Sequence, residues 1–129
     1  MSQSINLYKQ LANHKLFNKS IKFGLKRIKL ALYKLGNPER KLNNVISVIG
    51  ESGKFTTLYS LKTFIEANNQ IVTTHISPSI RDIKERFYMG KKKYLSHKQI
   101  KETIKQIEKL KIPLTVFEVL TLIYILNAS

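Results

Sequence analysis

Three observations predict an α/β fold. The run Val45-Ile46-Ser47-Val48-Ile49 has the β-branched, apolar character of a buried strand. It breaks into Gly50-Glu51-Ser52-Gly53-Lys54-Phe55-Thr56-Thr57, after which apolar residues resume at helical spacing as far as Ala67. Beyond Asn68-Asn69, Ile71-Val72-Thr73-Thr74 reads as a second strand. A strand, a helix and a strand in that order imply a parallel pair with a right-handed crossover.

The other elements follow along the chain. Ile5 to Lys15 carries apolar residues near helical spacing and predicts a first helix. Leu25, Ile28, Leu32 and Leu35 form a cleaner stripe, stopped by Gly36-Asn37-Pro38 through ordinary C-terminal chemistry. Arg86 to Met89 and Tyr94-Leu95 are short strand candidates around a turn at Gly90. Ser96 with Gln99 makes a capping box for a helix whose buried side is Ile100, Ile104, Ile107 and Leu110, and Pro113 ends it. Thr115 with Glu118 makes a second capping box before Val119 to Leu126, an almost wholly apolar helix that must be packed on all sides. Two parallel strands do not supply the sheet such a helix should cover, so a fold cut short is the expectation.

With 129 residues, 43% of them hydrophobic, the chain can bury one modest core, and one domain is expected. The absence of cysteine excludes disulfides, thiolate metal sites and cysteine nucleophiles, and it fits a cytoplasmic location. Met1 to Asn6 has neither a basic nor an apolar leader region, so no signal peptide is expected. The most apolar window, Ile112 to Leu126, contains Pro113 and Glu118 and falls short of the roughly 20 residues of a membrane span.

The net charge of +15 would ordinarily point to nucleic acid or another anionic surface. Its distribution argues otherwise: residues 1–44 carry +9, residues 45–90 only +1 and residues 91–129 +5, so the excess flanks the glycine loop. Frequent Lys, Ile and Asn are also what adenine- and thymine-rich codons produce, and such drift adds surface lysine without a binding purpose. Lys91-Lys92-Lys93 beside Tyr94 is the best local phosphate-tracking patch, although its position after Gly90 is that of an ordinary turn. No recognition-helix pattern accompanies it, so nucleic acid is not the expected partner. Neither His75 nor His97 has a second ligand at zinc-binding spacing.

The Gly50–Thr57 stretch carries the most chemistry. Gly50 and Gly53 allow backbone N–H groups to converge on an anion, Lys54 adds a mobile cation, and Thr56 or Thr57 can offer a hydroxyl to magnesium. Only two residues separate the glycines, and Phe55 rather than a hydroxyl residue follows the lysine, unlike the common P-loop. Phe23-Gly24-Leu25-Lys26-Arg27-Ile28, Leu35-Gly36-Asn37-Pro38, this loop, Ile76-Ser77-Pro78, Glu85-Arg86 and Thr115-Val116-Phe117-Glu118 recur in the order found in one family. From about Leu11 onward the chain resembles the N-terminal third of folylpolyglutamate and dihydrofolate synthases, in the Mur ligase superfamily.

That resemblance implies an incomplete P-loop-type, three-layer Mur ligase ATP-binding domain over residues 1–129, without the C-terminal glutamate-binding domain. It implies ATP-dependent joining of L-glutamate to dihydropteroate or a folate through an acyl phosphate, with ATP and Mg2+ as cofactors. By the same resemblance Lys54 is catalytic; Gly50, Ser52, Gly53, Lys54, Phe55, Thr56 and Thr57 hold the nucleotide; Thr56 and Ser77 hold the metal. Thr115, Phe117 and Glu118 contact the pterin-bearing substrate, although the first and last are also a helix cap and Phe117 an ordinary core aromatic. Asn13 and His14 fall near the family's N-terminal substrate-contact region at a different spacing, and a lone surface histidine accounts for His14. Glu85-Arg86 is expected to act structurally, as an ion pair or strand-end anchor.

Two positions depart from the family: Glu51-Ser52 stands where Thr-Asn is favoured, and Phe55 where a small residue is usual. A carboxylate about 4 Å from a triphosphate costs roughly 1 to 4 kcal/mol, depending on the effective dielectric. The acidic metal ligand, a later histidine and the base contacts would fall after Ser129, so little ligase activity is expected of the chain alone. The alternatives are a basic anion- or nucleic-acid-binding module, and one half of a two-chain ligase whose remainder is separately encoded.

Overall fold

The last helix is the axis of the structure, a computed structural model that describes residues 2–18, 20, 22–79 and 81–129, the side chains of residues 2–5 excepted. In chain order the helices are α1 (Ser2–Ala12), α2 (Lys26–Lys34), α3 (Lys54–Ala67), α4 (His97–Glu108) and α5 (Val116–Ala128), with 3-10 turns at Pro38–Lys41 and Ile83–Arg86. Strands β1 (Thr74–His75) and β2 (Phe87–Tyr88) pair antiparallel, Thr74 opposite Tyr88 and His75 opposite Phe87. The chain is therefore mixed α and β, with five helices and one two-stranded sheet among the described residues.

The expectation that the last helix is packed on all sides holds for one side of α5 only: Phe117 is 58% exposed, and Thr121 and residues 124–128 are half-buried. The helix packs against α4, α2 and the Pro38–Lys41 turn. Val119, Leu120, Leu122 and Ile123 are buried, together with Ile100, Ile104 and Ile107 of α4 and Leu7 and Leu11 of α1. Each such side chain, fully buried, contributes about 1.5–3 kcal/mol. Both expected capping boxes form. Ser96 accepts from the Gln99 N–H while the Gln99 side chain accepts from the Ser96 N–H. Thr115 accepts from the Glu118 N–H at 3.2 Å, and Glu118 Oε2 accepts from the Thr115 N–H at 2.7 Å. The same Oε2 takes Arg27 Nε at 3.2 Å, which ties α2 to the start of α5. A second tie is backbone: Asn18 N–H to the Leu114 carbonyl and Val116 N–H to the Asn18 carbonyl, at 2.9 and 3.0 Å.

Helix α2 ends as its sequence predicts. Gly36 and Asn37 donate back to the Tyr33 and Leu32 carbonyls at 3.1 and 2.8 Å, the paired bonds of a Schellman stop. The Gly90 turn is a tight hairpin in which Lys93 donates to the Gly90 carbonyl and Met89 to the Lys93 carbonyl. A side chain at Gly90 would place its Cβ 2.7 Å from Ile71 Cγ2, and the backbone there has φ +84°, so glycine is required on both counts.

The parallel strands do not form. Residues 45–49 make no backbone hydrogen bond to another segment among the described residues, and Ile49 is 90% exposed. Only Thr74 of the expected 71–74 strand pairs, and it pairs antiparallel with β2. A strand exists only where a neighbour receives its N–H and C=O groups; among the described residues no segment bonds to residues 45–49, and residues 71–73 lie beside the Gly90 turn without pairing with it. The helix between them shows the same gap: α3 has no buried residue and contributes nothing to the core. Leu58, Leu61 and Ile65 on its inner side are half-buried, and polar contacts tie it to Tyr88. Lys62 Nζ lies 3.9 Å from the centre of the Tyr88 ring, and Glu66 accepts the Tyr88 hydroxyl.

Two outcomes test this arrangement. Glu118→Ala strips one carboxylate from the Thr115 cap and from Arg27, and should lower the unfolding free energy by about 2–3 kcal/mol in a denaturant titration. Native-state hydrogen exchange should find the α3 amides opening well below the global unfolding free energy and those of α4 and α5 opening near it; equal protection of all three would contradict a core that excludes α3.

Candidate functional site

The loop expected to carry phosphate chemistry is built at the start of α3. Gly53, the residue before the helix, lies in the left-handed region at φ 75°, ψ 0°, and a Cβ there would meet nothing within 4 Å. The left-handed step turns the chain from the 45–49 segment into the helix. No side chain caps α3 and no acid stands in its first turn. The N–H groups of Lys54, Phe55 and Thr56 therefore lack helical acceptors at the positive end of a 14-residue helix. Lys54 folds back across the loop, its ammonium donating to the Gly50 carbonyl and, at 3.2 Å, to the Glu51 carbonyl. Gly50, Glu51, Ser52, Thr56 and Thr57 are exposed, and Lys54 and Phe55 are half-buried. Unfilled N–H groups, a local cation and open access suit an oxyanion such as a terminal phosphate.

The expected metal pair fares differently. Ser77 Oγ accepts from Arg86 Nη1 at 3.0 Å, which sets a guanidinium against the oxygen a magnesium ion would need. Like charges at that distance repel, so Ser77 is unsuited to the ion while Arg86 holds it, whereas Thr56 is exposed. No group of three His, Cys, Asp or Glu residues able to hold a metal occurs among the described residues. The loop thus suits an oxyanion, and the residues present do not fit a resident metal shared by Thr56 and Ser77.

Arg86 acts structurally, though not in an ion pair with Glu85. Its side chain is buried, bonds Ser77 and lies 5.8 Å from the centre of the Tyr8 ring, while its Nε has no hydrogen-bond partner. Burial depresses the guanidinium's pKa, with the Tyr8 hydroxyl acting weakly the other way. Glu85 instead accepts the Arg81 N–H at 3.1 Å. Next to it, His75 is stacked between Phe87 and Tyr124, with ring centres 5.6 and 5.2 Å away. The 3.1 Å contact with the Arg86 carbonyl requires a proton on His75 Nδ1, which leaves Nε2 buried and unpartnered. Desolvation lowers the His75 pKa, the carbonyl bond opposes this, and the Arg86 charge lowers it further.

The three residues expected at the pterin-bearing substrate divide. Thr115 and Glu118 are buried and committed to their capping box, and Glu118 also to Arg27. Phe117 is 58% exposed on the opposite side of the first turn, so it is not the core aromatic its apolarity suggested. His14 is likewise not a lone surface residue: its Nδ1 accepts the Leu16 N–H at 3.2 Å, so Nε2–H donates to Glu108 at 2.8 Å.

Two cavities accompany these features. One, of about 740 Å³, lies between the end of α1, the 13–16 turn and α4. The other, of about 680 Å³, is bounded by residues 41–46, the inner side of α3, residues 70–74 and the end of α5, which is where the expected parallel strands would have run. Neither was legible in the sequence, because each joins segments far apart in the chain. Among the described residues no helix is long and apolar enough to cross a membrane. Comparisons with protein-family models, with curated proteins and with solved structures give no match.

His75 supplies a pH dependence whose sign follows from its environment. Its folded-state pKa lies below the unfolded value of about 6.5. Stability is therefore complete above that unfolded value and falls as the pH drops through it, because only the unfolded chain takes up the proton. The loss levels off below the folded-state pKa. Urea titrations of the wild type and His75→Asn should diverge as the pH falls below about 6.5, by no more than about 1.4 kcal/mol per pH unit; parallel curves would show that His75 is not held neutral.

Proposed function

We propose that this chain is the nucleotide-phosphate-binding part of an ATP-dependent carboxylate–amine ligase of the folylpolyglutamate and dihydrofolate synthase kind. The observation that carries the reading is the Gly50–Lys54 loop, with uncapped N–H groups at the head of α3 and Lys54 folded over it. The ordered motifs from Phe23 to Glu118 support it. In such a ligase the γ-phosphoryl group of ATP passes to the carboxylate of dihydropteroate or a folate, and the amine of L-glutamate then displaces phosphate to form the amide.

The residues of this chain would act on the first of those steps. The N–H groups of Lys54, Phe55 and Thr56 would donate to the phosphate oxygens, and Lys54 would leave the Gly50 and Glu51 carbonyls to offset charge on the group being transferred. Thr56 would meet the magnesium that enters with the nucleotide. Glu51 is the local opposing charge, and its exposure gives it freedom to turn toward water.

A second reading is favoured by the open face. Val45, Ile46, Ile49, Phe64 and Ile71 are all more than 60% exposed around α3. A separately encoded partner that completed a sheet there would make the ligase a two-chain assembly.

Calorimetric titration of the chain with MgATP, beside Lys54→Ala and a thermal melt of both, tests the primary reading. Saturable one-site binding, weakened roughly tenfold to a hundredfold in Lys54→Ala, is expected. A wild-type chain that melts cooperatively yet takes up no MgATP would overturn it.

A further inference from the structure

The open run Val45-Ile46-Ser47-Val48-Ile49 reads nearly the same in both directions. Ser47 stands at its centre, Ile46 and Val48 flank it, and Val45 and Ile49 close the ends, with no charge and no proline among the five. Asn44 at φ 52° and Gly50 at φ 145° bend the chain on either side, and none of the residues between them has a positive φ. Their backbone groups bond to no other segment among the described residues, so they form an unpaired edge, which is a template for another strand. Set antiparallel against a copy of itself about Ser47, the run places Val45 opposite Ile49, Ile46 opposite Val48, and Ser47 opposite Ser47 of the other copy. Each outer pair then joins two β-branched side chains, and the smallest residue lies on the twofold axis.

Apolar surface is open at this edge. Val45, Ile46, Ile49 and Ile71 are each more than 60% exposed, and Val45, Ile46 and Ile71 border one groove with the half-buried Leu58, Leu61 and Ile65 of α3. Apolar side chains gathered in this way, unlike single scattered ones, mark an interaction surface. Charge selects what covers it. Residues 1–44 and 91–129 carry +9 and +5, and on those segments two copies repel, whereas residues 45–90 carry only +1. This face is therefore the one on which two such basic chains can meet, while an acidic partner would be drawn to the flanking segments. We infer that two copies of this chain associate through antiparallel pairing of residues 45–49 about a twofold axis at Ser47. The pairing is independent of whether the glycine loop holds phosphate, and it occupies the face that a separately encoded partner would otherwise cover.

The test is sedimentation of the full chain from about 1 to about 100 μM, where the mass should rise from 15.0 kDa toward twice that value and no further. Ile46→Lys/Ile49→Lys should weaken association by at least about tenfold. Phe23→Lys/Tyr33→Lys adds the same charge at exposed aromatic residues outside the face and should leave association unchanged. Because the chain has no cysteine, introduced thiols report the register. With oxidised glutathione, Ser47→Cys should give a covalent dimer, since residues directly opposite in an antiparallel pair stand about 4.5–5.5 Å apart at Cα. Val45→Cys and Ile49→Cys should crosslink only when the two variants are mixed. Every substituted residue is exposed; should Ile46→Lys/Ile49→Lys nevertheless fail to fold, the thiol variants still decide. A wild type that stays monomeric throughout, growth past two copies, equal weakening by the two lysine pairs, or crosslinking of Val45→Cys alone as readily as Ser47→Cys would each overturn the proposal.

Discussion

The burial of α5 is the constraint from which the remainder of the fold follows. Val119, Leu120, Leu122 and Ile123 form one broad buried face, while Phe117 on the other side is 58% exposed. That face needs a cover, and α4, α2 and the Pro38–Lys41 turn supply it. The first turn of such a helix has buried N–H groups that would be costly without acceptors. Thr115 and Glu118 supply them, and the charge this brings into the interior is answered by Arg27 from the far end of the sequence. One carboxylate thus satisfies a helix terminus and joins two distant segments.

What the sequence conveyed is what local chemistry determines. Both capping boxes, the Gly36-Asn37 stop after α2 and the hairpin at Gly90 rest on residues within a few positions of one another, and all form. Sheet formation is not local. Val45–Ile49 has the residues of a strand but no neighbour to complete its hydrogen bonds, and it lies open beside α3. The β-branched, apolar run that suggested a strand measures suitability for a buried, paired surface, and pairing depends on segments far away in the chain. The Arg27–Glu118 pair, the stacked and neutral His75, the burial of Arg86 without a carboxylate and both cavities escaped the sequence for the same reason.

The glycine loop sits where these two regimes meet. Its left-handed Gly53 and the uncapped head of α3 are local features and are present. Its support is not: α3 buries no side chain fully and is tied through Lys62 and Glu66 to Tyr88. Lys54 occupies the loop with its own charge, donating to the Gly50 and Glu51 carbonyls, so an entering anion would exchange those two contacts for stronger, charge-assisted ones. An unsupported helix also makes ordering on ligand binding part of the energetics, which weakens apparent affinity without altering the contacts made.

Amide chemical shifts of the nitrogen-15-labelled chain during titration with MgATP test the central claim most directly, because they report where the anion sits. The account predicts saturable shifts concentrated at Gly50, Gly53, Lys54, Phe55 and Thr56, with α4 and α5 unchanged. Shifts distributed over the exposed lysines of α2, α4 and the Gly90 hairpin, with the loop silent, would show an unspecific basic surface and contradict it.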